Sequence, residues 1–406
     1  MILNYRNLDW KLIGVAFALS VIGILLIMSA THFSSSSFER YYYQRQALWL
    51  CVAMFVFAVI VHLPFRFLDL LAYLFYAVGV ILLALVLVIG HTRLGASRWF
   101  DLGPISLSPS DVGKIGLLLA LARFFAYTRL PVTSKRRLAL SALLMLVPAL
   151  LVLKQPDLGT SLVFFVVLFA LWFWSGLSPL YLLLIVTPIA SLVTASHWLS
   201  WAIYLVALLV FLTLLKPGML FSVVAFTSNL GFGMITPFMW NRLADYQKSR
   251  IITFLDPGHD PRGAGYQIIQ SKIAIGSGGL WGKGFLSGSQ AKLDFLPERH
   301  TDFIFSVLGE EFGLLGCLIV IVLFGYLFFR CLKIAVRCRS RFASYLIAGA
   351  TAIIFFQFVV NIGMAIGIMP VTGLPLPFLS YGGTALVLFW TLIALIVSAD
   401  YNWQEY

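Results

Sequence analysis

Apolar runs of about bilayer-spanning length, separated by short polar breaks, follow one another almost from end to end of the chain. A helix needs roughly twenty apolar residues to cross a hydrocarbon core, and in lipid only helices and closed barrels satisfy their own backbone. The pattern predicts spans near 11–31, 46–63, 69–90, 110–127, 139–154, 158–176, 179–196, 201–215, 219–238, 303–329, 343–369 and 383–399. The expected fold class is therefore all-α, a polytopic integral membrane bundle of about twelve spans forming a single membrane domain over 1–406. Between 179 and 238 the only firm punctuation is Lys216-Pro217-Gly218. The first run is long and follows a polar start, so it reads as a retained span and not a cleaved signal.

Composition agrees with that reading. Charged residues make up 11% of the chain and hydrophobic ones 61%, against roughly 25% charged in soluble domains. A net charge of +12 would suit nucleic acid, but no basic, aromatic-bearing soluble domain is present to use it, so no nucleic-acid partner is expected. The positive charge gathers instead in alternate loops: Arg6 and Lys11, Arg66, Arg129 with Lys135, Arg136 and Arg137, Lys216, and Arg330 to Arg341. That side is expected to be cytoplasmic, with both termini on it. The polar 239–302 segment then faces outward, away from cytosolic nucleotides. Of the four cysteines, Cys51 and Cys317 fall in apolar runs and Cys331 and Cys338 in a basic stretch, with no metal or disulfide spacing.

A polar stretch at 249–311 interrupts the apolar runs with glycines, prolines and charges of both signs. Such a segment is costly in so hydrophobic a chain unless it works at the membrane face. In it, Asp260-Pro261-Arg262-Gly263 puts a carboxylate on a tight turn beside bare amides, which is an ordinary turn or a catalytic one. Glu298, His300 and Asp302, with Glu310 and Glu311 beyond, invite a metal reading, but His300 has no second His at ligand spacing. Elsewhere, Asp111 and Lys114 stand at i, i+3 on one helix face. A charge at mid-membrane costs on the order of 3 kcal/mol, so they are a neutralising structural pair or a cavity-facing lysine with its orienting carboxylate. Asp157, after Pro156, reads as a helix N-cap, a cavity carboxylate, or both. Trp99 and Phe100 are interfacial anchors on the bland reading, and Arg98 beside them meets lipid headgroups or a diphosphate substrate. The stretch 370–383, with prolines at 370, 375 and 377, is not helix throughout, so it is buried in protein or lines a cavity.

Seven motifs in order now resemble one family: GASRW at 95–99, PSDVGK at 109–114, QPDLGT at 155–160, DPRGAGYQ at 260–267, QSKIAIGSGGLWGKG at 270–284, FLPERHTDFIF at 295–305 and PLPFLSYGG at 375–383. The chain resembles the SEDS family (shape, elongation, division and sporulation), nearer its rod-shape branch than its division branch. The resemblance implies a peptidoglycan glycosyltransferase of the bacterial cytoplasmic (inner) membrane that polymerises lipid II on the outer face. It also implies a class B penicillin-binding protein (transpeptidase) and other elongation-complex proteins as partners, and polyprenyl-diphosphate-linked glycan as product. The family's essential acid falls on Asp260 and its charged cavity residues on Asp111, Lys114 and Asp157. Two departures stand out: Asp111 replaces the usual Glu, one methylene longer, and residues between about 180 and 238 look like a pair of spans added to a ten-span core.

On that footing Asp260 is the expected general base for an inverting transfer. Arg98 and Lys114 would bind the diphosphate, with Arg262 and Lys272 behind them. No cofactor is certain; a divalent cation could assist, although the sequence marks no site for one. The competing readings are a lipid flippase and a non-catalytic scaffold for the crosslinking enzyme.

Overall fold

The computed structural model describes residues 8–34, 36, 38–93, 96–102, 105–242, 248, 252–253, 264–289 and 295–402. Its helices are α1 Trp10–His32, α2 Tyr42–His62, α3 Phe65–Leu70, α4 Ala72–Ile89, α5 Pro109–Tyr127, α6 Lys135–Lys154 and α7 Leu158–Trp174. They continue with α8 Pro179–Thr194, α9 Trp198–Leu215, α10 Met219–Arg242, α11 Ala264–Gly278, α12 Ile304–Arg337, α13 Arg341–Ala365 and α14 Gly383–Asn402. Each predicted segment coincides with one of the longer helices. Among the described residues, nine helices are long and apolar enough to cross a membrane, and α7 and α8 are shorter apolar helices.

Local chemistry sets the starts. Asp9 caps α1 by accepting from the Leu12 amide at 3.1 Å, and Asp157 caps α7 by accepting from the Thr160 amide at 3.1 Å. Pro109 opens α5, where its missing N–H costs nothing. Backbones then approach through glycine. A Cβ on Gly116 would lie 2.7 Å from the Phe75 carbonyl oxygen, and one on Gly79 3.1 Å from the Gly113 Cα. These small residues seat α4 on α5.

The core centres on α13 and α14, whose Trp390 and Phe389 are fully buried. Arg330 pairs with Asp9, and Arg337 with Asp400, tying α12 to the start of α1 and the end of α14. Helices α8–α10 hold a small apolar cluster of their own, Leu184, Leu208, Leu212 and Ala225. Above it the buried Asn229 donates to Thr187 Oγ1 and accepts from the Tyr204 hydroxyl.

Two elements depart from the expectation of helices and loops. Three strands, β1 His91–Arg93, β2 Ala96–Leu102 and β3 Ile105–Leu107, pair antiparallel in the order β1-β2-β3. The polar central stretch contains α11, whose Ile268, Ser271 and Ala274 are buried at helical spacing. The following loop docks where α12 breaks at Gly313 (φ 62°). Lys283 and Gly284 N–H groups donate to the Glu310 and Glu311 carbonyls at 3.0 and 2.9 Å, and the Leu314 N–H donates to the Gly279 carbonyl at 2.9 Å. The loop thus satisfies the backbone groups that the break releases. Lys283 also pairs with the buried Glu310 at 2.7 Å, and Ser29 donates to Glu311.

Candidate active site

A cavity of about 1140 Å³ lies between α2, α5, α7, α13, the start of α14 and the two irregular stretches 298–302 and 373–382. Lys114 and Asp111 sit on its α5 wall, 2.9 Å apart. The i, i+3 spacing lets the shorter Asp side chain reach the ammonium, so the contact forms without the usual Glu. Ser108 and Ser110 hydroxyls, 2.8 Å apart, stand beside them. Asp157 lines the cavity while capping α7, so both of its readings hold at once. Gln155 is buried next to it and donates to the Leu83 carbonyl at 3.2 Å. Trp99 completes this side.

The opposite rim is two loops fastened to each other. Glu298, at φ 51°, turns the chain so that its carbonyl accepts from the Thr301, Asp302 and Phe303 amides. The Tyr381 amide donates to the His300 carbonyl at 2.9 Å, and Ser380 Oγ donates to the Thr301 carbonyl at 2.6 Å. From α2, Gln46 donates to the Ser380 carbonyl and accepts from the Gly382 amide, both at 3.1 Å. Asn361 on α13 donates to the Asp302 and Leu374 carbonyls at 3.0 and 2.9 Å. Arg299 reaches the Ala30 carbonyl at 2.6 Å. The rim is therefore a preorganised edge, positioned by α1, α2 and α13.

Aromatic rings cover that edge. Tyr42 stacks on Tyr381 with centroids 4.3 Å apart, and His300 leans on Tyr42 at 4.9 Å. Burial pushes the His300 pKa below the ordinary imidazole value, against the opposing pull of Glu298 and Glu39. Burial raises the Tyr381 phenol, with Arg45 opposing.

Of the sequence-predicted residues, the structure brings Asp111, Lys114 and Asp157 to one cavity. Lys272 is exposed and lies against Gly367, where a Cβ would come 2.1 Å from its Cε. It does not line the cavity, because α11 turns the neighbouring Ser271 inward to Ser306 and the Ala365 carbonyl. Asp260, Arg262 and the Arg98 side chain lie outside the described residues. Tyr42 and Gln357 also line the cavity and Gln46 fastens its rim, and the sequence reading singled out none of the three. A lone amide inside an apolar run was the available signal for the two glutamines. Among the described residues no three His, Cys, Asp or Glu side chains group to hold a metal.

The FtsW, RodA and SpoVE family, described as cell cycle protein, matches residues 9–204 and 189–405. The chain belongs to that family. This FtsW/RodA/SpoVE member is 39% identical over 392 residues to the Escherichia coli K12 protein named peptidoglycan glycosyltransferase MrdB, covering 97% of this chain and 93% of the other. To the Escherichia coli O6:H1 protein named probable peptidoglycan glycosyltransferase FtsW it is 31% identical, over 97% and 86% of the two chains. A chain in a structure titled for the coordination of polymerization and crosslinking by a peptidoglycan synthase complex superposes with TM-score 0.73 at 32% identity, over 98% and 99%. The Thermus thermophilus rod shape determining protein RodA superposes with TM-score 0.66 at 29% identity, over 98% and 99%. Residues 180–238 fall inside the length these alignments span.

Proposed function

We propose that the protein is a peptidoglycan glycosyltransferase that polymerises lipid II into glycan strands for cell-wall elongation and rod shape. One observation carries the reading. A cavity lined by an ion-paired lysine and several carboxylates is walled by the motifs the family shares, in a chain 39% identical to a protein named for that activity.

The 4-hydroxyl of one lipid-linked sugar attacks the anomeric carbon of another, and the polyprenyl diphosphate departs. Asp260 takes the hydroxyl proton, a role that typically supplies roughly 10²–10⁴-fold. Positive charge builds on the ring and negative charge on the diphosphate. Lys114, held by Asp111 at the cavity wall, offsets the latter, with Arg98 and Arg262 as further cations and Lys272 outside the cavity. A departing diphosphate needs charge neutralisation more than a proton, so no second acid is required.

The segment 239–302, including α11, is the catalytic loop on the outer face, and both termini are cytoplasmic. The partner is a class B penicillin-binding protein, a reading supported by the synthase complex in which a similar chain is found. The test is polymerisation of labelled lipid II by purified protein with and without that partner. A flippase or a scaffold makes no polymer in detergent.

A further inference from the structure

Gln357, on α13, is fully buried, and both its side-chain oxygen and nitrogen lack a hydrogen-bond partner. It is also part of the wall of the large cavity. Several polar side chains at or beside that cavity are engaged within the protein. Lys114 is paired with Asp111, Gln155 donates to the Leu83 carbonyl, and Gln46 bridges Ser380 and Gly382. One helical turn beyond Gln357, Asn361 donates its amide nitrogen to the two rim loops, while its oxygen has no partner, so Gln357 is the one with neither atom paired. Buried polar groups in native proteins are paired in nearly all cases, and an unpaired amide among membrane helices is costly. A buried amide with no protein partner, at the edge of a ligand-sized cavity, is placed to be paired by a ligand.

The shape of the amide narrows the ligand. It offers one acceptor and one donor side by side in a plane. A phosphate group only accepts, and would leave the Gln357 oxygen unmatched. Two neighbouring polar substituents on a pyranose ring match both atoms: one hydroxyl or amide N–H donates to Oε1 while its neighbour accepts from Nε2. We propose that Gln357 binds the sugar ring of the lipid-linked substrate through such an adjacent pair, while Lys114 faces the diphosphate. This rests on the glycosyltransferase reading and adds to it a residue that positions the sugar.

The test uses Gln357→Leu and Gln357→Met in the purified full chain. Melting temperature is read without ligand, with polyprenyl diphosphate and with lipid II, and polymerisation kinetics are read beside it. Both variants are expected to melt at or above the wild-type temperature, since two unpaired polar atoms are gone. Wild type is stabilised more by lipid II than by polyprenyl diphosphate, and the variants equally by both. KM for lipid II rises about tenfold, the loss of one or two hydrogen bonds. Variants that keep the wild-type preference for lipid II would overturn the proposal. So would two variants that both unfold, because the amide would then be structural. A wild type that prefers lipid II but makes no polymer with the class B penicillin-binding protein present leaves the sugar site standing and removes the glycosyltransferase reading.

Discussion

The ammonium of Lys114 lies 2.9 Å from the carboxylate of Asp111, and the two side chains are 5% and 15% exposed. Three residues apart on one helix, they form a self-neutralising pair, and on the proposed function Lys114 shares its charge with the diphosphate. Removing one partner of a buried pair costs about 3–5 kcal/mol, whereas removing both can be nearly neutral. Lys114→Met is expected to lower the melting temperature and abolish polymerisation. Asp111→Leu combined with Lys114→Met should restore the melting temperature but not the polymer. Polymer from the double variant would remove Lys114 from substrate binding.

Gln46 holds the chain on both sides of Tyr381, through the Ser380 carbonyl and the Gly382 amide. Gln46→Leu leaves the buried Ser380 carbonyl without this partner, at about 1–3 kcal/mol, and frees the half-buried Gly382 amide. A loss of stability with a raised KM for lipid II is expected, read by thermal melting and polymerisation kinetics. An unchanged KM would mean that this rim does not touch substrate.

Burial lowers the His300 pKa, with Glu298, Glu39 and Arg299 around it and the Tyr42 and Tyr381 rings against it. Its folded pKa is lowered, so the unfolded chain takes the proton first as pH falls. The stability it contributes is present above the usual imidazole value of about 6.5 and is lost below it. Melting temperatures at pH 7.5 and 5.5 should therefore fall further for wild type than for His300→Gln. Equal falls would place the acid sensitivity elsewhere.

Gly116 admits the Phe75 carbonyl where a Cβ would stand 2.7 Å from it. Backbone on both sides leaves little room to relax. Gly116→Ala should cost about 1–3 kcal/mol and displace α5, which carries Lys114. A wild-type melting temperature would show that α4 and α5 separate freely.

The helices were legible because apolar length is a one-dimensional signal, and the cap at Asp157 is local chemistry. Helix α11 was not. Its buried face is Ile268, Ser271 and Ala274, and Ser271 is inward because it meets Ser306 and the Ala365 carbonyl, partners distant in sequence. The same holds for the strands at 91–107, whose pairing is set by each other and not by periodicity. In the site, the charged residues drew notice because charge in an apolar run is costly. Gln46 and Gln357 carry no charge, and what distinguishes them is three-dimensional: one is fully satisfied by a loop from residues 380–382, the other has no partner. Lys272 shows the converse, a cation in a shared motif that the helix turns outward.

The most direct measurement is glycan polymerisation from labelled lipid II by purified wild type and Asp260→Asn, each with a class B penicillin-binding protein present. The account predicts glycan polymer from wild type and none from a folded, membrane-inserted Asp260→Asn. Polymer from both would contradict Asp260 as the base and turn attention to Asp157 or Asp302. No polymer from folded wild type would contradict the enzyme reading itself.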